Sequence, residues 1–288
     1  MRPDLEPPRP IVVDAVTRAL LEDLVPLGDL TSALLPPDLR ATASFLSRQR
    51  GVLAGVACAE EAFRQVDPEV DLHWDRRDGD DVGPGDTIGT VTGLLGSLLT
   101  GERTALNFLG HLSGIATHTR AFVDAAATGG PVRIWDTRKT TPGLRTLEKA
   151  AVRCGGGANH RGNLSDWVLL KDNHLTLMGI AGAVAAAHAR WPGRTAHVEC
   201  DRIDQLAEAL DAGADAVLLD NMTPDEVRAC VALVDERCGG GRLRPLLEVS
   251  GGVTLDTVAA YAATGIDCIS IGGLTNAAPV LDIGLDIA

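Results

Sequence analysis

At 288 residues with 45% apolar content, the chain is long enough for one large domain or two smaller ones, each with a real core. A formal charge of −13 and 3% aromatic residues exclude the extended cationic surface and the stacking platforms that nucleic acids need. No apolar run reaches the roughly 18–20 residues of a membrane span.

The N-terminus, Met1 to Pro10, is Pro-rich and charged and holds no signal-peptide core. Ile11–Val25 predicts a helix, ended by Pro26 and the Gly28-Asp29 turn. Ala41–Leu46 and Val52–Val56 predict strands, and Ala59–Val66 a short helix. Leu72–Trp74 and Thr87–Val91 predict two more strands, separated by a turn rich in Gly and Asp at Asp78–Asp86. A long amphipathic helix follows over Leu98–Ala127, with Gly110 and Gly114 as points where it could break. These elements lack regular alternation and predict a separate α+β domain.

From about residue 130 the pattern becomes strand, loop, helix, repeated. Strands are predicted at Pro131–Trp135, Trp167–Leu170, Ala196–Cys200, Ala216–Leu219, Leu246–Val249 and Cys268–Ile271. Helices are predicted at Pro142–Arg153, Leu175–Arg190, Ile203–Ala212, Pro224–Glu236 and Leu255–Ala262. Continuous apolar strands alternating with helices indicate a parallel sheet buried on both faces. Six units fall short of the eight in a closed barrel, so the fold class is α/β, with an incomplete (β/α) barrel behind an N-terminal α+β domain. The six cysteines show no CxxC pair and no zinc spacing, and read as small buried residues of a reduced cytosol.

In barrel-like domains the chemistry sits at the C-terminal ends of the strands. Here the first strand runs into Asp136-Thr137-Arg138-Lys139 and the second into Lys171-Asp172-Asn173-His174. The third contains Glu199 and the fourth ends in Asp220-Asn221; the fifth ends in Ser250-Gly251-Gly252 and the sixth in Gly272-Gly273. The three lysines of the chain, Lys139, Lys149 and Lys171, all fall within one 33-residue stretch of this acidic protein. If Arg138, Lys139, His160, Arg161 and Lys171 converge, each pair about 5 Å apart repels by roughly 3 kcal/mol at an effective dielectric near 20. Nearby carboxylates and a bound polyanion would have to offset that repulsion.

The two glycine loops read as phosphate sites, with backbone N–H groups and a following helix facing the ligand. Glu199 and Asp220 are open to three uses: ligating Mg²⁺, hydrogen bonding ribose hydroxyls, or balancing the cations. His174 reads as a helix-start residue, and Lys149 as part of an intrahelical pair with Arg145 and Glu148.

The runs Asp136–Arg145, Gly155–Arg161 and Lys171–His174, with Gly101–Asn107 upstream and Ser250-Gly251-Gly252 downstream, closely resemble the quinolinate phosphoribosyltransferase family. The resemblance extends from Gly28-Asp29 to the last glycine loop. It implies an N-terminal α/β sandwich over residues 1–112, onto which 275–288 pack, and an incomplete barrel over 113–274. It also implies a cytoplasmic homodimer, open to further assembly, whose sites are shared between subunits. The implied reaction joins quinolinate to phosphoribosyl pyrophosphate (PRPP), giving nicotinate mononucleotide, pyrophosphate and CO₂ with Mg²⁺ in NAD biosynthesis.

By that resemblance Arg138, His160, Arg161 and Lys171 hold the two carboxylates of quinolinate, and Arg103 reaches in from the partner subunit. Lys139, Glu199 and Asp220 carry the catalysis and handle PRPP and its metal. Thr137 also binds substrate, and Ser250, Gly251, Gly252, Gly272 and Gly273 take phosphate groups. One position departs from the family pattern: Asn276 stands where His is expected, and can donate a hydrogen bond but carries no charge. Three other readings stay open: a Schiff-base enzyme using Lys139 or Lys171, a non-catalytic phosphate-ligand sensor, and a related branch associated with molybdenum transport.

Overall fold

The structure is a computed structural model and describes residues 5–239 and 243–287. Residues 1–4, 240–242 and 288, among them the start of the expected N-terminal domain and the end of the 275–288 segment expected to pack on it, lie outside the described residues. The chain divides into two compact units, Met1–Arg120 with Lys139–Gly156 and Gly273–Ala288, and Ala121–Arg138 with Gly157–Gly272.

The first half runs α1 (Arg9–Leu24), β1 (Arg40–Ser47), β2 (Gly51–Val52), α2 (Val56–Val66), β3 (Asp71–Trp74), β4 (Asp81–Val82), β5 (Thr87–Leu94) and α3 (Leu95–Ala127). The predicted strand Val52–Val56 shrinks to two residues, because Gly55 turns the chain at φ 96° directly into α2. The helix α3 is unbroken over 33 residues. Its two glycines mark close approach instead of a break: the Gly110 carbonyl accepts from Leu281 N at 2.9 Å. A Cβ at Gly114 would overlap the Pro279 carbonyl oxygen.

The second half runs β6 (Arg133–Trp135), α4 (Arg145–Cys154), β7 (Val168–Leu170), α5 (Asp172–Met178), α6 (Ile180–Arg190), β8 (Ala196–Cys200), α7 (Ile203–Ala212) and β9 (Ala216–Asp220). It ends with α8 (Pro224–Cys238), β10 (Leu246–Ser250), α9 (Val258–Ala262), β11 (Cys268–Ser270), α10 (Gly273–Asn276) and β12 (Ile283–Ile287). The predicted helix Leu175–Arg190 is two helices, split where Gly179 takes φ 66°. The start of α8 follows its sequence closely. Thr223 caps it, Glu226 returns a carboxylate to the Thr223 amide at 2.7 Å, and Pro224 fills the first helical position.

In the first unit β12, β1, β5 and β3 form one antiparallel sheet in that order, so a strand near the C-terminus pairs with β1. Phe45 anchors the core of this unit, stacked 4.8 Å from Trp74 and edge-on to Phe63 at 5.9 Å. In the second unit six parallel strands follow the order β6-β11-β10-β9-β8-β7. β6 and β7 end that order without pairing to each other among the described residues, so the barrel is open, as expected. Val198, Val217, Leu219, Leu247 and Val249 are all fully buried, as a sheet covered on both faces requires.

Five of the six cysteines are buried and all are free thiols. Burial pushes Cys58 and Cys200 up to about 12, which leaves them as inert apolar side chains. No described helix is long and apolar enough to cross a membrane.

Asp78 accepts from Val56 N at 3.1 Å at the start of α2. Burial, with help from Glu6 and Asp80, pushes its carboxyl up to about 6 despite hydrogen bonds from Val56 and Gly55. A raised carboxyl favours the folded state only while protonated. Its stabilisation is present below the ordinary value near 3.8 and is lost as pH rises through about 6. At neutral pH the ionised group therefore costs on the order of 2–3 kcal/mol. Asp78→Asn keeps the acceptor and removes the charge, so its melting temperature should exceed the parent's at pH 7. The gain should vanish near pH 4 in a thermal-melt series.

Candidate active site

The loop after β6 brings Arg138 into the same electrostatic neighbourhood as Arg161. Burial, then repulsion from Arg138, pulls the Arg161 guanidinium below its ordinary value, opposed by Asp166, Glu199 and Glu248. Arg161 is only 7% exposed. Lys171, at the end of β7, forms an ion pair with Glu199 of β8. The second unit thus gathers Arg138, Arg161, Lys171 and Glu199 at the C-terminal ends of its strands. The cations converge, and carboxylates stand beside them.

His160 is buried in this cluster, framed by the rings of Trp167 at 4.8 Å and Trp135 at 5.6 Å. Its backbone N–H donates to Asp136 Oδ1 at 2.9 Å, and the Asn159 side chain donates to Asp136 Oδ2 at 2.6 Å. The segment carrying His160 also runs parallel to β6 through a bridge between Trp135 and Ala158. Thr137 is half-buried just before Arg138.

Asp220 ends β9, and its carboxylate accepts from the side chain of Asn221 at 2.7 Å. Asn221 takes a left-handed φ of 56°, and its amide donates to Ser250 O at 2.9 Å, which ties the ends of β9 and β10 together. Glu199 and Asp220 line a common cavity of about 470 Å³ that also receives Asp172, Asp201 and Glu208. Hard carboxylate oxygens facing one cavity are a donor set that fits Mg²⁺.

After Ser250 the chain turns through Gly251 at φ 96° and Gly252 at φ 64°, a pair of conformations that L side chains rarely adopt. A Cβ on Gly251 would overlap Asn221 Oδ1. The helix expected directly behind this loop begins only at Val258 and has five residues. A helix this short and this late supplies no useful macrodipole to the loop, and neither does the four-residue α10 after Gly272-Gly273. The loop's own backbone N–H groups remain as donors.

The remaining expected site residues belong to the first unit. Arg103 is exposed on α3. Lys139 is exposed, and its carbonyl accepts from Thr275 Oγ1 at 2.7 Å, which fastens the loop to α10. Gly273 opens α10, and Asn276 ends it, exposed. His174 is a helix-start residue, its Nδ1 accepting from Lys171 N at 3.1 Å. Glu148 turns to His111 at 2.9 Å and to the Thr141 amide at 3.1 Å.

Two buried residues of the cluster escaped sequence reasoning. Glu248 of β10 is fully buried, with its Oε2 lying 3.2 Å from His160 Nε2 and 3.6 Å from His197 Nε2 of β8. Burial pushes the Glu248 carboxyl up, but the facing side chains of His160, His197 and Ser270 outweigh it and hold the group below its ordinary value. Burial takes His197 down to about 4. The nitrogen and oxygen atoms of the three lie within 4.8 Å of one another, a set that could also ligate a metal. The available signal was a charged residue in the middle of an apolar strand.

Two family models together cover most of the chain. The one described as quinolinate phosphoribosyl transferase, C-terminal domain, matches residues 115–286. Its N-terminal counterpart matches residues 29–113. The chain belongs to the quinolinate phosphoribosyl transferase family.

Curated relatives are similar over nine-tenths or more of their length. A nicotinate-nucleotide pyrophosphorylase [carboxylating] of Mycobacterium leprae is 42% identical over 280 residues, covering 95% of this chain and 96% of the relative. A probable nicotinate-nucleotide pyrophosphorylase [carboxylating] of Bacillus subtilis is 39% identical over 269 residues, covering 93% and 90%. Among solved family structures, a nicotinate-nucleotide pyrophosphorylase from Francisella tularensis superposes with a TM-score of 0.93 at 36% identity, covering 99% of both chains.

Proposed function

We infer that this chain transfers the phosphoribosyl group of PRPP to quinolinate, with loss of CO₂, in NAD biosynthesis. The observation that supports the reading is a chain of charges: Arg138 beside buried Arg161, which follows buried His160 in sequence, and Glu199, which faces Arg161 and pairs with Lys171. Quinolinate is planar with two adjacent carboxylates, and guanidinium forks match carboxylates bidentately. Arg138, His160, Arg161 and Lys171 hold those two groups, with Thr137 beside them. Lys171 exchanges part of its pairing with Glu199 for substrate.

PRPP brings a 5′-phosphate, a pyrophosphate and ribose hydroxyls. Ser250, Gly251 and Gly252, with Gly272 and Gly273, donate backbone N–H groups to its phosphates. Glu199 and Asp220 face the ribose and hold Mg²⁺, which when bound neutralises pyrophosphate charge. The quinolinate ring nitrogen forms a bond to the anomeric carbon as the bond to pyrophosphate breaks. Positive charge develops on the ribose, and carboxylates fixed in place stabilise it without reorganisation. The C–C bond to the adjacent carboxylate then breaks, CO₂ leaves, and the electron pair left beside the cationic ring nitrogen takes up a proton. Nicotinate mononucleotide remains.

The protein acts in the cytoplasm as a homodimer in which Arg103 of one subunit completes the site of the other. Its N-terminal domain spans 1–112 and its catalytic domain 113–274. A Schiff-base role for Lys171 is disfavoured by its exposure and its pairing with Glu199, since such lysines are desolvated or beside another cation.

Quinolinate labelled at the carboxyl beside the ring nitrogen, incubated with PRPP and Mg²⁺, should release labelled CO₂ and pyrophosphate in equal amounts. No release would refute the assignment, and equal use of nicotinate would refute the dicarboxylate pocket. Arg103→Ala and Lys171→Ala chains, each inactive, should regain about a quarter of parental activity when mixed, because one site in four then carries neither change. No recovery would refute the shared site. Gly251→Ala should raise the KM for PRPP about tenfold, from left-handed strain and overlap with Asn221, and leave the KM for quinolinate nearly unchanged. Steady-state kinetics in each substrate separates the two.

A further inference from the structure

Glu248 sits in the middle of a strand whose neighbours are Leu247 and Val249, all three fully buried. An ionised carboxylate in such a place is expensive, and an apolar residue would pack there more cheaply. Packing therefore does not account for it. Its partners account for it better: Oε2 lies 3.2 Å from Nε2 of His160 and 3.6 Å from Nε2 of His197, itself 1% exposed. The two imidazoles lie 6.1 Å apart between ring centres, tilted by 34°, with the carboxylate oxygen between them.

His160 is therefore held twice, by different carboxylates. Asp136 fixes its backbone N–H at 2.9 Å, and Glu248 faces its ring nitrogen. Trp135 and Trp167 meet the ring edge-on at 74° and 61°, which limits how far it can swing. A ring so confined presents one fixed edge, as recognition of a rigid planar dicarboxylate requires.

We propose that Glu248, backed by His197, is a positioning residue that sets the orientation of His160 for recognition of the planar dicarboxylate substrate. The proposal rests on the reading of His160 as a quinolinate contact. Glu248 does not touch the substrate; it acts through the imidazole.

A double-mutant cycle read in steady-state kinetics tests it. Glu248→Gln conserves shape, removes the charge, and should raise the KM for quinolinate about tenfold while the KM for PRPP moves less than about twofold. His160→Ala should raise the same KM at least as much. In the double variant the effects should not multiply: its KM for quinolinate should match that of His160→Ala within about twofold. Multiplying effects, or equal rises in both KM values for Glu248→Gln, would assign Glu248 a merely structural part and overturn the proposal. The same cycle run with His197→Gln, which leaves the Glu248–His160 contact in place, should show smaller coupling of the same kind and serves if Glu248→Gln does not fold. An unchanged quinolinate KM in His160→Ala would instead sink the site reading, and this inference with it.

Discussion

Arg161→Ala should raise the KM for quinolinate by about 10²–10³-fold and leave the KM for PRPP within about threefold. Arg161 as a residue is 7% exposed, so a carboxylate that meets it does so largely out of water, where charge-assisted bonds are strongest. Truncating one partner of a desolvated charge pair costs on the order of 2–5 kcal/mol, and the middle of that range gives the stated factor. The empty site adds a second signature. Arg138 repels Arg161, so the deletion relieves like-charge strain even as Asp166, Glu199 and Glu248 lose a cation. The melting temperature should therefore change little, while the rise that quinolinate produces in the parent disappears. Arg161→Lys should recover only a minor part of the affinity, because an ammonium cannot offer a planar fork. An unchanged quinolinate KM with a collapsed melting temperature would make Arg161 a structural residue.

The barrel half of this fold is legible because its strands are short, mostly apolar runs, and a helix such as α8 announces its start with the Thr223–Glu226 capping box. Each strand's exit residue is legible at the same time, and the sequence alone puts Arg138, Lys171, Glu199, Asp220 and Ser250 at one end of the sheet. What stayed hidden depends on partners distant in sequence. Ile283–Ile287 is a strand only because β1 offers it an edge, and β2 and β4 exist as two-residue strands only by pairing with each other. Gly110 and Gly114 read in sequence as possible helix breaks, yet their meaning lies in the Pro279–Leu281 segment that packs on them. Glu248 and His197 are not distinguished within their predicted strands, since hydrophobic periodicity registers a polar residue as a defect and cannot say what faces it. Their significance appears when β8 and β10 are set on either side of β9 and His160 closes over them.

Lys139→Ala should lower kcat by about 10²–10³-fold, with the KM for quinolinate within about threefold of the parent. Lys139 follows Arg138 directly, and the hydrogen bond from Thr275 to its carbonyl fixes the backbone from which the ammonium projects. The side chain is exposed, as a group that meets a departing polyanion has to be. Pyrophosphate gains charge as its bond to the anomeric carbon breaks, so a cation aimed at it binds the transition state more tightly than the ground state, and its loss falls on turnover. Removing one preorganised donor of this kind costs about 2.7–4 kcal/mol, which sets the size of the effect. Lys139→Arg keeps the charge and should recover part of the rate. The decisive measurement is a single-turnover burst with PRPP saturating. If chemistry runs at the parental rate and only the KM for PRPP has risen, the lysine contributes uniform binding and no transition-state stabilisation.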